Sequence, residues 1–147
     1  MSNHLIILPI VTPLLAAALQ LLIGEKRRRT ALAVSIASCV ALVVLAAALM
    51  HAVSTDGALA AVYRIGDWPA RFGIVLVADR LSALMVLLTG VLALALLPYA
   101  LSRWQHRGGH FQPLLQFLLM GLNGAFLTGD LFNLFVFFEV LLAASYG

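Results

Sequence analysis

Five apolar stretches dominate the pattern of hydrophobic and polar positions along the chain. A helix needs about 20 apolar residues, at about 1.5 Å of rise each, to cross the hydrocarbon core of a bilayer. The stretches predict helices over about 5–23, 31–53, 81–101, 111–128 and 131–147. The last of them is at the short limit of a span. We therefore predict an all-α, polytopic membrane protein with a single membrane domain over 1–147.

The segment between the second and third apolar stretches has a different pattern. It contains Gly66, Trp68, Pro69 and Gly73, followed by an extended-looking run at 74–77. Glycine and proline at this density interrupt helices and favour turns. We expect an irregular loop or a short hairpin, with Trp68 at the membrane interface, where tryptophan is enriched.

Basic residues predict the orientation of the helices. Four of the nine form the run Lys26-Arg27-Arg28-Arg29 after the first stretch, and Arg103 and Arg107 follow the third. Lysine and arginine accumulate in cytoplasmic loops. Both loops are therefore predicted to be cytoplasmic, which places the N-terminus and the 54–80 segment outside and makes the fifth helix run inward.

The composition excludes several classes of protein. The chain is 63% hydrophobic and 10% charged, against about 25% charged residues in soluble domains. The net charge of +3 comes from loops, and no polar domain could display a surface for nucleic acid. Cys39 is the single cysteine, which excludes an internal disulfide or a cysteine-based metal site. No metal-ligand spacing, phosphate-binding loop or nucleophile triad is present, so we predict no enzyme, cofactor or metal site.

Glu139 is a carboxylate inside the fifth apolar stretch. It follows Asp130 by nine residues, or roughly 13 to 14 Å of helix, which places it near the middle of the bilayer. A charge there costs about 2.5 to 3.5 kcal/mol on an insertion scale. The cost falls if the carboxyl is protonated, pairs with a buried Lys or Arg, or faces internal water. Each arrangement makes Glu139 a site that binds and releases a proton.

The structural alternative is that Glu139 only hydrogen-bonds one helix to another, for example at Asn123 or Thr128. Among the other polar residues, Asp130 is predicted to cap the fifth helix. Asn123, between Gly121 and Gly124, is predicted to mark a close helix contact. Tyr146 lies on the face of Glu139 and has a hydroxyl that could join a proton path.

Two runs of sequence resemble a known family. They are GDLFNLFVFFE at 129–139 and DWPARFGIVLVADRLSALM at 67–85. Both closely resemble the D subunit of the Mrp (also Mnh or Pha) monovalent cation/proton antiporters, which are related to the antiporter-like subunits of respiratory complex I. The first run is typical of the whole superfamily, and the two together indicate the D subunit. The resemblance is close from about residue 63 onward and looser before it.

The resemblance implies a fold of roughly fourteen helices with two inverted five-helix repeats. It also implies that Glu139 is the key glutamate, whose usual partner is a lysine on a broken seventh helix. This chain has no equivalent of that lysine, so we interpret it as an incomplete, N-terminal part of a longer fold. The expected function is exchange of Na⁺ or K⁺ for H⁺ in the bacterial cytoplasmic membrane. The expected partners are other Mrp-type subunits, the lipid bilayer and the transported ions.

Two other functions remain open from the sequence. One is a proton-pumping, antiporter-like subunit of a NADH or ferredoxin:quinone oxidoreductase, which would make the chain part of a redox-driven enzyme. The other is a truncated membrane fragment that packs against partner subunits without transporting ions.

Overall fold

The computed structural model of the protein describes residues 3–24, 27–55, 60–65, 73–104 and 110–146. A short 3-10 helix at Asn3–Ile6 leads into α1 (Leu8–Ile23), followed by α2 (Arg28–Thr55), β1 (Ala61–Arg64) and β2 (Val75–Ala78). The helices α3 (Arg80–Trp104), α4 (Phe111–Leu127) and α5 (Leu131–Tyr146) complete the chain. The five predicted helices and the all-α class are confirmed. Trp68, Lys26 and Arg107, to which the sequence assigned interface and loop positions, lie outside the described residues.

Two of the five helices are long and apolar enough to cross a membrane by length and composition, Arg28–Thr55 and Arg80–Ala100. The other three have 16 or 17 residues, or roughly 24 to 26 Å, just short of a full hydrocarbon core. Leu5 and Ile6 of the 3-10 helix add apolar length ahead of α1. The start of α1 at residue 8 places Pro9 in the first turn, where a missing N–H has no cost.

Polar residues continue α2 and fix the start of α3. The helix α2 runs two residues past its predicted end, to Thr55, and the hydroxyls of Ser54 and Thr55 donate back to the carbonyls of Met50 and His51. At α3, the Ser82 N–H donates to Asp79 Oδ1 at 2.6 Å and the Asp79 N–H donates to Ser82 Oγ at 2.8 Å. This is a reciprocal capping box.

The predicted hairpin region forms a two-stranded antiparallel sheet, in which Val62 pairs with Val77 and Tyr63 with Leu76. The short connection between α4 and α5 joins this sheet, because Leu76 bridges Thr128 and the Gly129 N–H donates to the Val75 carbonyl at 2.9 Å. No pattern in the sequence indicates this third partner. The sheet therefore ties the α4–α5 turn to the segment before α3.

The first four helices pack in a closed ring, in which α3 lies on α2, α2 on α1, α1 on α4 and α4 on α3, and α5 lies on α4. The main core lies near the sheet and draws on these elements through fully buried side chains: Ile6, Leu42, Leu49, Leu76, Val86 and Leu127. The helix α5 packs chiefly on α4. Most of its apolar surface therefore faces away from the other four helices.

Candidate functional site

Glu139 lies halfway along α5, eight residues after Leu131 in a helix of 16 residues. Its side chain is exposed on the face that points away from α4. This orientation follows from helix geometry, because Phe137 packs against α4 and a residue two positions further is rotated by about 200°. Glu139, the only acidic residue of α5, therefore points away from the other helices.

Apolar side chains surround Glu139 on its exposed face. Helical spacing places Phe132, Phe135, Val136, Leu142 and Tyr146 on this face, and all of them are exposed, with Tyr146 at 86%. Tyr146 lies seven residues after Glu139, about two turns or 10 Å further along this face. The carboxyl of Glu139 makes no hydrogen bond or ion pair with any residue that the structure describes. The face is therefore an apolar surface with one carboxyl at its centre.

The two helix-bridging partners considered for Glu139 make other bonds. Asn123 donates to a backbone carbonyl of α1, and Thr128 Oγ1 accepts from Asn133 Nδ2 at 3.1 Å. Asp130 directly precedes α5, and its Oδ1 accepts a long bond of 3.4 Å from the N–H of Phe132. Asp130 is thus in the capping position, and a capping role for it stays a prediction.

Asn123 compensates for a proline in α1. Pro13 has no N–H, so the carbonyl of Pro9, four residues earlier, lacks its partner within the helix. Asn123 Nδ2 donates to this carbonyl at 2.9 Å. Asn123 is fully buried, and its Oδ1 has no partner among the described residues. The amide therefore joins α4 to α1 at the point where proline weakens α1.

Glycines on α4 allow α5 to approach closely. A Cβ added at Gly124 would overlap the ring of Phe137, and one at Gly121 would lie 2.9 Å from Leu141. Small residues at helix interfaces in membranes permit this kind of packing. The contact fixes the rotation of α5, and Glu139 is exposed as a result.

A second polar feature, which was not predicted from the sequence, lies between α1, α2 and α4. Five buried or half-buried side chains form one hydrogen-bonded group, which we call the glutamine–serine cluster: Gln20, Ser35, Ser38, Gln112 and Gln116. A signal was present, since glutamine is uncommon in apolar helices and Gln112 and Gln116 lie one turn apart. Within the described residues, no three His, Cys, Asp or Glu side chains are grouped so as to hold a metal ion.

Comparison with known proteins identifies the relatives of this chain. The D subunit of a probable K⁺/H⁺ antiporter from Rhizobium meliloti (strain 1021) is 55% identical over 148 residues, which cover 99% of this chain and 28% of the relative. The D subunit of a Na⁺/H⁺ antiporter from Alkalihalophilus pseudofirmus is 40% identical over 146 residues, covering 98% and 29%. This chain is a homologue of antiporter D subunits. It spans less than a third of the length of these relatives.

Solved structures agree with this relationship. The D-subunit homologue superposes on a chain of the Mrp complex from Dietzia sp. DQ12-45-1b with a TM-score of 0.84 and 34% identity, covering 100% of this chain and 27% of that one. A chain of an archaeal membrane-bound sulfane sulfur reductase shares the fold, with a TM-score of 0.79 and 24% identity over 97% and 28% of the two chains. No family model matches the sequence. The resemblance stated from the sequence is confirmed, and the D-subunit homologue is a membrane protein.

Proposed function

We propose that this D-subunit homologue forms part of a multi-pass membrane subunit of a multisubunit Na⁺/H⁺ or K⁺/H⁺ antiporter in the bacterial inner membrane. In this proposal Glu139 binds and releases the proton that is exchanged for the cation. The single observation that supports it most strongly is the position of Glu139, halfway along an apolar helix and on its exposed face. The names of the relatives supply the ions.

Electrostatics supports a protonatable role for this carboxyl. A bare carboxylate near the middle of a bilayer costs several kcal/mol, which protonation or a basic partner would offset. Within the described residues, the basic residues of α2 and α3 lie at the helix ends, at Arg28, Arg29, Arg80 and Arg103. In this proposal, a basic partner for Glu139 comes from outside these helices, and the lysine implied by the family resemblance is the candidate. A charge on that partner would favour release of the proton.

The packing of α5 supports a defined position for this group. Because Gly121 and Gly124 seat Leu141 and Phe137 against α4, the rotation of α5 is fixed. Glu139 and Tyr146 then face the same side, where we propose that the rest of the antiporter chain or a partner subunit packs. Tyr146 would extend the proton path by about two turns toward the cytoplasmic end.

The test is antiport activity in everted vesicles that contain the assembled complex. Glu139→Gln keeps the shape of the side chain and removes the titratable proton, so we expect exchange to be lost while assembly is retained. Glu139→Asp keeps a carboxyl and should retain partial activity. The matched control is Asp130→Asn, which removes a carboxylate at the start of the same helix and should leave exchange in place. Normal exchange by Glu139→Gln would rule out the proposal.

The redox-linked alternative differs in its partners. Co-purification of the chain with small membrane subunits of the antiporter type supports the proposal, whereas co-purification with cofactor-bearing redox subunits supports a proton-pumping oxidoreductase. Exchange driven by an imposed Na⁺ or K⁺ gradient, without any electron donor, distinguishes the two directly.

A further inference from the structure

The glutamine–serine cluster lies between three helices and away from Glu139. Gln20 comes from α1, Ser35 and Ser38 from α2, and Gln112 and Gln116 from α4. Gln116 and Ser35 are fully buried and Gln20 is 3% exposed, whereas Gln112 is half-buried. The cluster is therefore shielded from solvent at Ser35 and Gln116 and partly accessible at Gln112, in the first turn of α4. Its side chains are all neutral, and the proton exchange proposed for Glu139 does not use them.

The hydrogen bonds of the cluster can be counted atom by atom. The Ser35 hydroxyl donates to Gln112 Oε1 at 2.5 Å and accepts from Gln20 Nε2 at 2.8 Å and from Gln116 Nε2 at 3.5 Å. A hydroxyl has one hydrogen and two lone pairs, so Ser35 is saturated. Gln20 Nε2 also donates to the Ala31 carbonyl at 3.1 Å, which uses both of its hydrogens.

One oxygen of the cluster is left without a donor. Gln20 Oε1 is buried and has no hydrogen-bond partner among the described residues. Gln116 Oε1 already accepts from Ser38 at 2.9 Å, and Gln112 Oε1 accepts from Ser35. Buried polar atoms are almost always paired with protein or with ordered water. The oxygen of Gln20 therefore requires a hydrogen-bond donor that the described residues do not supply.

We infer that the glutamine–serine cluster binds an internal water molecule that donates to Gln20 Oε1. Gln112 Nε2 makes no hydrogen bond to the described residues and supplies a donor on the open side of the cluster. A buried water needs two to four polar partners, which these amides provide. A bare monovalent cation is disfavoured, because it needs several free oxygens and here one is free.

A contrasting oxygen helps to define the site. Asn123 Oδ1 is also buried without a partner among the described residues, but Asn123 makes its one described bond to the Pro9 carbonyl. Asn123 lies seven residues from Gln116, about 10 Å along α4, with buried Leu119 between them. The hydrogen-bonding groups of the cluster lie around Gln20, whereas Asn123 is a single amide. The inferred water therefore lies at the level of Gln20 in the bundle.

Cys39 provides a reporter for this water. Its thiol is fully buried, one helical turn after Ser35 on the same face of α2. In X-ray hydroxyl-radical footprinting of the intact membrane protein, a bound water is converted to a radical in place and oxidises a thiol beside it. We expect Cys39 to be oxidised despite its burial, at the same rate whether the buffer holds Na⁺, K⁺ or N-methylglucamine. After rapid mixing with H₂¹⁸O, the product on Cys39 should gain ¹⁸O more slowly than products on exposed residues.

Two variants make the test specific. Gln20→Met has similar volume without the amide, and should reduce Cys39 oxidation several-fold. The matched control is Ala46→Cys, at a fully buried position of α2 that is 11 residues, or about 16 Å of helix, beyond Ser35, where the new thiol should stay unoxidised in the same sample. The inference is overturned if Cys39 is as inert as the thiol at position 46. Oxidation that requires Na⁺ or K⁺, or ¹⁸O uptake on Cys39 as fast as in bulk, would overturn it as well. The isotope experiment uses the wild-type protein, so it remains decisive if either variant fails to fold.

Discussion

Removal of the Asn123 amide should destabilise the packing of α4 on α1 through a mechanism that depends on Pro13. Asn123 Nδ2 donates to the Pro9 carbonyl. Pro13 cannot donate to this carbonyl, because proline has no N–H. Asn123→Ala would leave that carbonyl unpaired between the two helices. In the Pro13→Ala background, the new N–H of residue 13 can donate to the Pro9 carbonyl. Asn123→Ala should then lower the free energy of unfolding much less.

The expected loss of stability follows from the hydrogen bond that is removed and the carbonyl that is left unpaired. An interhelical hydrogen bond in a membrane protein contributes about 0.6 kcal/mol on average, and a buried unpaired carbonyl costs about 1–3 kcal/mol. Asn123→Ala should therefore lower the free energy of unfolding by about 2 kcal/mol, which is roughly 30-fold in the unfolding equilibrium. With Pro13→Ala the loss should fall below about 1 kcal/mol, which gives a coupling energy of about 1 kcal/mol.

The assay is a double-mutant cycle, measured by reversible unfolding of the membrane protein in mixed micelles of increasing SDS fraction. The matched control is Asn133→Ala, which removes another buried asparagine whose partner is Thr128. Its cost should be the same with Pro13 and with Ala at that position, since the two sites share no partner. An Asn123→Ala cost that is equal in both backgrounds would refute the assignment of this amide to the Pro9 carbonyl.

Two further predictions concern the helix contacts and caps. Gly124→Ala should destabilise the protein by about 1–3 kcal/mol, because its Cβ would overlap the Phe137 ring; Phe137→Leu should recover part of this loss in SDS unfolding. Asp79→Ala should cost about 1 kcal/mol through loss of the cap of α3. The N–H and hydroxyl of Ser82 lower the pKa of the Asp79 carboxyl. The stabilisation by this carboxylate is therefore fully present above the usual pKa of aspartate, and it is lost as the pH falls through the lowered pKa of Asp79. Wild type and Asp79→Ala should therefore converge in stability at strongly acidic pH, and a difference that persists there would contradict the role of the carboxylate.

The number of helices could be predicted from the sequence because each depends on its own run of apolar residues. Their limits were less predictable, since polar residues also form helix. Ser54 and Thr55 end the apolar run but still belong to α2, where their hydroxyls donate back to the carbonyls of Met50 and His51. The strand at Val75–Ala78 was indicated by its extended-looking pattern, whereas its link to Gly129 depends on a contact across more than fifty residues.

The polar contacts between helices were also only partly predictable from the sequence. Pro13 in the sequence already implies an unpaired carbonyl at Pro9, but nothing local identifies Asn123 as its donor. The bond between Ser35 and Gln112 joins residues separated by 77 positions. A hydropathy pattern describes each helix alone and contains no information on which faces meet. The exposed orientation of Glu139 likewise follows from the contact of Gly124 with Phe137, which only the packed helices reveal.

The proton site at Glu139 can be tested most directly by infrared difference spectroscopy on the reconstituted antiporter complex that contains this chain. Spectra are recorded as Na⁺ or K⁺ replaces N-methylglucamine at constant pH. Proton release from Glu139 predicts a loss of the protonated-carboxyl band on addition of the transported cation, and this change should be absent in Glu139→Gln and shifted in Glu139→Asp. The same band change in Glu139→Gln as in the wild type would contradict the assignment of the exchanged proton to Glu139.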